Sequence, residues 1–317
     1  LNYEWTWSNT LNYKKSFGEH ALNVLVGIEA VEESGRGKGI SRNGYLFETP
    51  NFYLLSNGSA TPNIAYAYQY TNTLWSVFGT ANYNYNRKYF ATATLRRDQS
   101  SRFKGDNQSD IFPSFSVGWL LSKEDFYPDD ALINRIKLKA SYGELGNQTL
   151  PGENLTENVS ALNEGLANYS FNGSSISTGA ILASVGNPDL VWETSISTNF
   201  GIDLTAFDNK LNLGLEFFKI ETKNLITPDN SLISTTAIDA AAPLVNLGDV
   251  ENKGFELSLG FHDKTSSGWS YGIDLNLSSY KNEVTALISD YQIGYTGFRG
   301  GAVTRTEVGR PISSFYG

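Results

Sequence analysis

The chain has 317 residues and a net charge of -9, with neither cysteine nor methionine. That acidity excludes an electrostatic nucleic-acid binder, which needs clustered Lys and Arg against phosphate, and the absence of thiols excludes disulfides and thiolate metal sites. Aromatic residues reach 13% against only 18% charged, and no run of roughly 18 apolar residues exists to form a transmembrane helix.

Ten strands are predicted in chain order, over residues 2–13, 20–30, 71–85, 89–98, 111–122, 135–143, 192–204, 210–219, 251–261 and 269–279. Side chains on a strand point alternately to its two faces. The first segment, LNYEWTWSNTLNY, therefore sets Tyr3, Trp5, Trp7, Leu11 and Tyr13 on one face and Glu4, Thr6 and Ser8 on the other. The pattern recurs with Leu22, Val24, Val26 and Ile28, with Ile196, Phe200, Ile202 and Leu204, and with Phe255, Leu257, Leu259 and Phe261. In the last strand it is Trp269, Tyr271, Ile273, Leu275 and Leu277. Glycines 79, 118, 201, 214, 260 and 272 fall inside these strands and mark bulges, close approaches or room for a plug.

The connections alternate as well. Short turns at 14–19, 86–88, 205–209 and 262–268, with a somewhat longer one at 123–134, separate excursions at 31–70, 99–110, 144–191 and 220–250. Loops beyond about 12 to 15 residues are uncommon in compact domains. Their recurrence at every second connection matches a transmembrane barrel, with short periplasmic turns and long extracellular loops. The expected fold is an all-β, antiparallel transmembrane β-barrel, apolar face to lipid and polar face to the lumen. Tyr83, Tyr85 and Tyr89 beside one turn, and Phe261 and Trp269 beside another, would form a periplasmic aromatic girdle. From Tyr89 a tilted strand climbs roughly 20 Å to Arg97, which would emerge at the outer interface.

Several segments carry a more specific signal. FATATLRRDQSSRF, IFPSFSVGWLLSKEDF, LKASYGELGNQ, GNPDLVWETSISTNFGIDL, NLGDVENKGFELSLG and GRPISSFYG resemble, in order, the signature of the SusC/RagA family of TonB-linked outer-membrane proteins. The resemblance spans roughly residues 90 to 317; the first ninety match only in texture. It implies import of a nutrient, an oligosaccharide or a peptide, powered through the TonB complex and assisted by a SusD-like surface lipoprotein. Family members hold a plug domain inside a barrel of about 22 strands. With ten strands, a start at Leu1 and no segment resembling a plug or an energy-coupling box, residues 1–317 read as a piece of the outer-membrane barrel domain, incomplete at both ends, with no plug domain. The lipopolysaccharide-bearing outer membrane is the expected environment. A passive porin and a soluble, secreted glycan-binding β protein are the rival readings.

Candidate contacts with substrate or partner are Tyr66, Tyr68, Tyr70, Arg96, Arg102 and Trp192. The three tyrosines alternate just before residue 71, so they either bind sugar or lipoprotein or extend the strand above the membrane. Arg96, Arg97 and Asp98, followed by Arg102, form either a contact at the extracellular mouth or a salt-bridged strand end. Trp192 either stacks on a glycan or anchors at the interface. His20 and His262 lack ligand spacing, GRGKG at 35–39 lacks the strand-to-helix context of a phosphate loop, and Glu124, Asp125, Asp129 and Asp130 read as a solvated turn. The Asn-x-Ser/Thr triplets at Asn57, Asn147, Asn154 and Asn172 read as chance occurrences. With no nucleophile motif, no catalysis, cofactor or metal is expected.

Overall fold

A computed structural model describes residues 1–59, 64–128, 130–148, 156, 159–162, 168–170, 173, 177–229, 242–288, 291–293 and 303–315. In chain order the strands are β1 Asn2–Phe17, β2 His20–Ser41, β3 Ile64–Tyr85, β4 Tyr89–Ser100, β5 Ser109–Leu120 and β6 Ile133–Asn147. Four short strands follow: β7 Val159–Leu162, β8 Asn168–Tyr169, β9 Ser177–Thr178 and β10 Ala180–Ser184. Then come β11 Glu193–Ala206, β12 Leu211–Pro228, β13 Leu244–Lys264 and β14 Ser270–Leu287, and the short β15 Tyr291–Ile293, β16 Thr304–Glu307 and β17 Ser314–Phe315.

The long strands form one antiparallel ten-stranded sheet in sequence order, β1-β2-β3-β4-β5-β6-β11-β12-β13-β14. β1 and β14 are its two ends and do not pair with each other. The ten strands therefore do not close a narrow barrel among themselves.

The strands run further than the sequence suggests, by a few residues at the short-turn end of β1, β11 and β13 and by much more at the long-loop end. β2 continues to Ser41 and β3 begins at Ile64, leaving 42–63 as the connection instead of 31–70. β12 reaches Pro228 and β13 starts at Leu244, which shortens the expected excursion at 220–250 to 229–243. Apolar alternation ends where a strand leaves hydrocarbon, whereas hydrogen-bonded pairing continues into water, as in Glu32↔Thr73 and Glu33↔Asn72. At the other end the turns are tight, except for the connection at 121–132 between β5 and β6. Asn86 and Arg87 both take positive φ, 50° and 51°, as the two central residues of a turn that the Lys88 N–H closes by donating to the Tyr85 carbonyl at 2.9 Å.

Register assigns the faces. Leu11, Val26, Gly79, Leu95 and Pro113 are successive cross-strand partners on one face, as are Phe200, Phe217 and Phe255. Among the described residues nothing covers this face: Leu95 is 56% exposed and Phe115 and Phe200 are 54% exposed. A soluble sandwich would bury it under a second sheet, and water-soluble monomers rarely expose large contiguous apolar faces. It faces lipid.

The opposite face is polar and paired. Thr80 and Thr94 share a hydrogen bond of 3.0 Å, Thr92 donates to Asn82 at 2.9 Å, and Lys139 lies 3.3 Å from Asp203 and 3.0 Å from Glu216. His262 pairs with Asp274 at 3.0 Å on the same face. Gly201 belongs here because the Lys139 side chain lies across its backbone, and Gly272 accommodates the His262 ring in the same way. Close approach of a cross-strand neighbour explains both.

At the short-turn end, Phe17, His20, Tyr85, Tyr89 and Trp119 are successive cross-strand partners over five strands. The Tyr89 and Trp119 rings stack at 6.5 Å. Both donate to the Glu124 carboxylate, the Tyr89 hydroxyl at 2.6 Å and the Trp119 indole N–H at 2.8 Å. This row is the girdle, one apolar edge in lipid and one polar edge in the turn.

Candidate functional site

Tyr68, Tyr70, Arg96 and Arg102 gather on one wall, the inner face of β2 to β4 and the start of the loop after β4, at the long-loop end, whereas Trp192 stands apart beside β11. Tyr68 and Tyr70 share the parity of Ser76 and Phe78 and so point to the lumen side. Their cross-strand partners are Gly37 and Gly35, and each ring lies over its partner glycine. Tyr66 opposes Gly39 in the same register; its side chain lies outside the described residues. The segment GRGKG, which the sequence placed in the 31–70 excursion, is therefore part of β2, with Gly35 and Gly37 beneath tyrosine rings.

Glu33 joins two of the candidates. Its carboxylate accepts the Tyr70 hydroxyl at 3.1 Å and lies 3.8 Å from the Arg102 guanidinium. Further down the wall Arg96 reaches Asp98 at 2.7 Å, Glu29 at 3.2 Å and the Ser76 hydroxyl at 2.8 Å, and it sits 5.4 Å from the Phe78 ring centroid. The salt-bridged strand end is thus present, but Arg97 is not part of it. Adjacent residues face opposite sides, and Arg97 points outward to Ser109 Oγ at 3.2 Å.

Trp192 lies just outside β11 and is 3% exposed. Its ring stacks on Phe103 at 4.9 Å and meets Phe112 edge-on at 5.5 Å, with Leu190 and Leu244 completing the cluster. Its indole N–H donates to the Asn107 carbonyl at 3.1 Å. A tryptophan packed on both sides presents no ring face to a sugar, so its role here is to tie loops together. The remaining ties are amide side chains: Asn187 donates to the Leu244 carbonyl at 2.9 Å, and Asn246 both accepts from the Val191 N–H at 3.0 Å and donates to the Val191 carbonyl at 2.9 Å. Sequence reasoning missed Phe103, Asn187 and Asn246 as a unit, although all three fall inside or beside the family-like segments. Four of those segments meet in space as one knot at the mouth, through Phe103, Phe112, Trp192 and Asn246.

A hollow of about 570 Å³ opens beside this knot, bounded by Thr94, Arg96, Asp98, Phe112, Ser114 and Trp192. Its size lies within the range of small-ligand clefts. Both charged and apolar groups line it, with Glu144 and Leu145 beside those already named.

Of the acidic turn, Glu124 is held by Tyr89, Trp119 and Lys88, and Lys88 also pairs with Asp125 at 3.3 Å. Asp129 lies outside the described residues, as do Asn154 and Asn172. Outward charges collect just beyond the apolar band on β12 to β14 and are interlinked: Lys219 with Glu251 at 3.0 Å, Lys223 with Asp249 at 3.0 Å, and Lys253 with Glu251 at 2.7 Å. This belt marks the outer membrane boundary.

A sheet with a bare apolar face, a polar inner face, an aromatic girdle at the tight turns and an ion-paired belt at the long loops is the wall of an outer-membrane β-barrel. The chain belongs to the TonB-dependent receptor β-barrel family: residues 1–312 match the family model described as TonB dependent receptor-like, beta-barrel. It is 32% identical over 314 residues to TonB-dependent receptor P3 of Formosa agariphila, covering 98% of this chain and 30% of that protein. It is 28% identical over 325 residues to TonB-dependent receptor SusC of Bacteroides thetaiotaomicron, covering 99% of this chain and 31% of that protein. Among solved structures it is similar to the RagAB peptide transporter, with a TM-score of 0.81 and 26% identity over 98% of this chain and 33% of the other. The chain thus spans about a third of the length of these relatives. The SusC/RagA resemblance and the outer-membrane barrel expected from the sequence both hold.

Proposed function

We propose that these strands are part of the barrel wall of a TonB-dependent importer of a nutrient, an oligosaccharide or a peptide, working with a SusD-like surface lipoprotein as lid. The observation that carries this reading is the single inner wall on which Tyr68, Tyr70, Arg102 and Arg96 stand in line above a polar lumen. Cargo would meet the tyrosine shelf first, then the hollow beside Arg96, then the polar face below. The open edges of β1 and β14 support a larger barrel, completed by strands from elsewhere in a longer protein that also supplies the plug and the TonB contact. The relatives are named as receptors and transporters, which supports transport without chemistry on the cargo.

The test is uptake of labelled oligosaccharides and peptides by cells expressing the full-length protein, with and without a functional TonB system. Import should vanish when TonB is removed. Cargo equilibrating across the membrane without TonB would instead establish the passive porin.

A further inference from the structure

The lipid-facing side of the sheet is not uniformly filled. A groove of about 780 Å³ runs along it between Leu11, Val26, Ile28, Val77 and Leu95. It exists because Gly79 carries no side chain: a Cβ there would meet nothing nearer than Val26 Cγ1 at 3.6 Å and the Leu25 carbonyl at 3.7 Å. Arg97 and Ile111 close its outer end.

Arg97 is unusual in its electrostatics. It is exposed, it points to the lipid side at the outer boundary, and its partner among the described residues is the neutral Ser109 hydroxyl. The lysines of the outward belt on β12 and β13 each lie within an ion pair. A cation placed at a hydrocarbon boundary without a carboxylate recruits an anion from its surroundings, and a guanidinium fork matches phosphate oxygens bidentately.

We propose that this groove is a binding site for a phosphorylated, multiply acylated glycolipid of the outer leaflet, lipid A. An acyl chain would lie along Gly79 between Val26 and Leu95, and a glucosamine phosphate would sit on Arg97. The long-loop end of the sheet fixes the leaflet. A phosphate at Arg97 faces outside, where lipid A is the phosphorylated lipid.

The experiment is native mass spectrometry of the full-length protein in detergent, titrated with bisphosphorylated lipid A, dephosphorylated lipid A or phosphatidylethanolamine. Folding of each variant is checked by heat-modifiable gel mobility. Wild type should hold bisphosphorylated lipid A about tenfold more tightly than the dephosphorylated form, as loss of a charged hydrogen-bonding partner implies. Arg97→Gln should lose the same factor, Arg97→Lys should restore part of it, and Gly79→Leu should weaken all acylated forms by occupying the groove. Equal binding of phosphorylated and dephosphorylated lipid A by the wild type would overturn the proposal without recourse to any variant. So would equal binding of phosphatidylethanolamine, or unchanged binding in both folded Arg97→Gln and folded Gly79→Leu.

Discussion

Tyr70 and Gly35 are cross-strand partners, and the Tyr70 ring lies over the Gly35 backbone where a side chain would otherwise stand. One pair further out, Tyr68 does the same over Gly37, with a Cβ on Gly37 meeting Tyr68 Cε1 at 2.5 Å. A tyrosine laid flat on glycine presents its outer ring face to the lumen. The spacing that fixes this is two residues on both strands, so the shelf is a direct consequence of strand period.

Substituting Gly37→Leu should therefore tilt Tyr68 off the wall while the ribbon stays paired. Aromatic contacts contribute about 0.5 to 1.5 kcal/mol, so cargo affinity should drop several-fold. Calorimetric titration of the full-length protein with its transported cargo measures this. Tyr68→Ala should give a similar loss, and unchanged affinity in both variants would remove the shelf from the cargo path.

The knot at the mouth makes a stability prediction. Trp192→Ala empties a site packed by Phe103, Phe112 and Leu190, and truncation of a buried large aromatic costs about 3 to 5 kcal/mol. Because the knot lies beyond the membrane, the damage should be local. Limited proteolysis should cut the segments at 101–108 and 187–192 rapidly in the variant, while the membrane-embedded strands keep their heat-modifiable mobility. Asn246→Ala should act in the same direction with a smaller effect, about 1 to 3 kcal/mol, by leaving the Val191 backbone groups unpaired.

Faces can be tested by charge. Leu257 and Ser258 are neighbours on β13, the first outward among Phe255 and Leu259, the second on the polar side. Leu257→Arg should destabilise the folded protein in lipid vesicles by about 2 to 4 kcal/mol if it lies near the midplane, and less toward an interface. Ser258→Arg should be nearly silent, with Glu256 and Asp274 on its own face. Urea unfolding in vesicles compares them, and equal losses would contradict the assignment of faces.

Glu124 supplies a pH dependence. The Tyr89 hydroxyl, then the Trp119 N–H, and also Lys88 hold its carboxyl below its ordinary pKa. A lowered folded-state pKa gives stabilisation that is fully present above the ordinary carboxylate value of about 4.3 and is lost as pH falls through the lowered one. The melting temperature of Glu124→Gln should thus lie below wild type at neutral pH, and the gap should close below about pH 4. A gap that persists undiminished to pH 3 would show that Glu124 acts without its charge.

The barrel wall was legible because two periods are written into the chain. Residues two apart share a face, so Leu257, Leu259 and Phe261 announce an apolar surface from sequence alone. The alternation of mostly short turns with mostly longer excursions, broken only where 121–132 outruns 101–108, then says that this surface crosses a membrane. The same logic failed above the membrane, where β2 and β3 continue as a ribbon. There both faces touch water, and the pattern that sequence reasoning follows disappears although the hydrogen bonds do not.

Sequence by itself determined the class of surface each side chain occupies: which residues face lipid, which face the lumen, and where a girdle must lie. It did not determine neighbours. Whether Trp192 binds cargo or ties loops depends on Phe103, 89 positions earlier in the chain, and on the Asn107 carbonyl. Whether Gly79 is a bulge or a groove depends on Val26 and Leu95 across two strands. Side-chain direction is a local property set by backbone period, whereas contact is a property of register between distant segments, and only the folded sheet fixes that register.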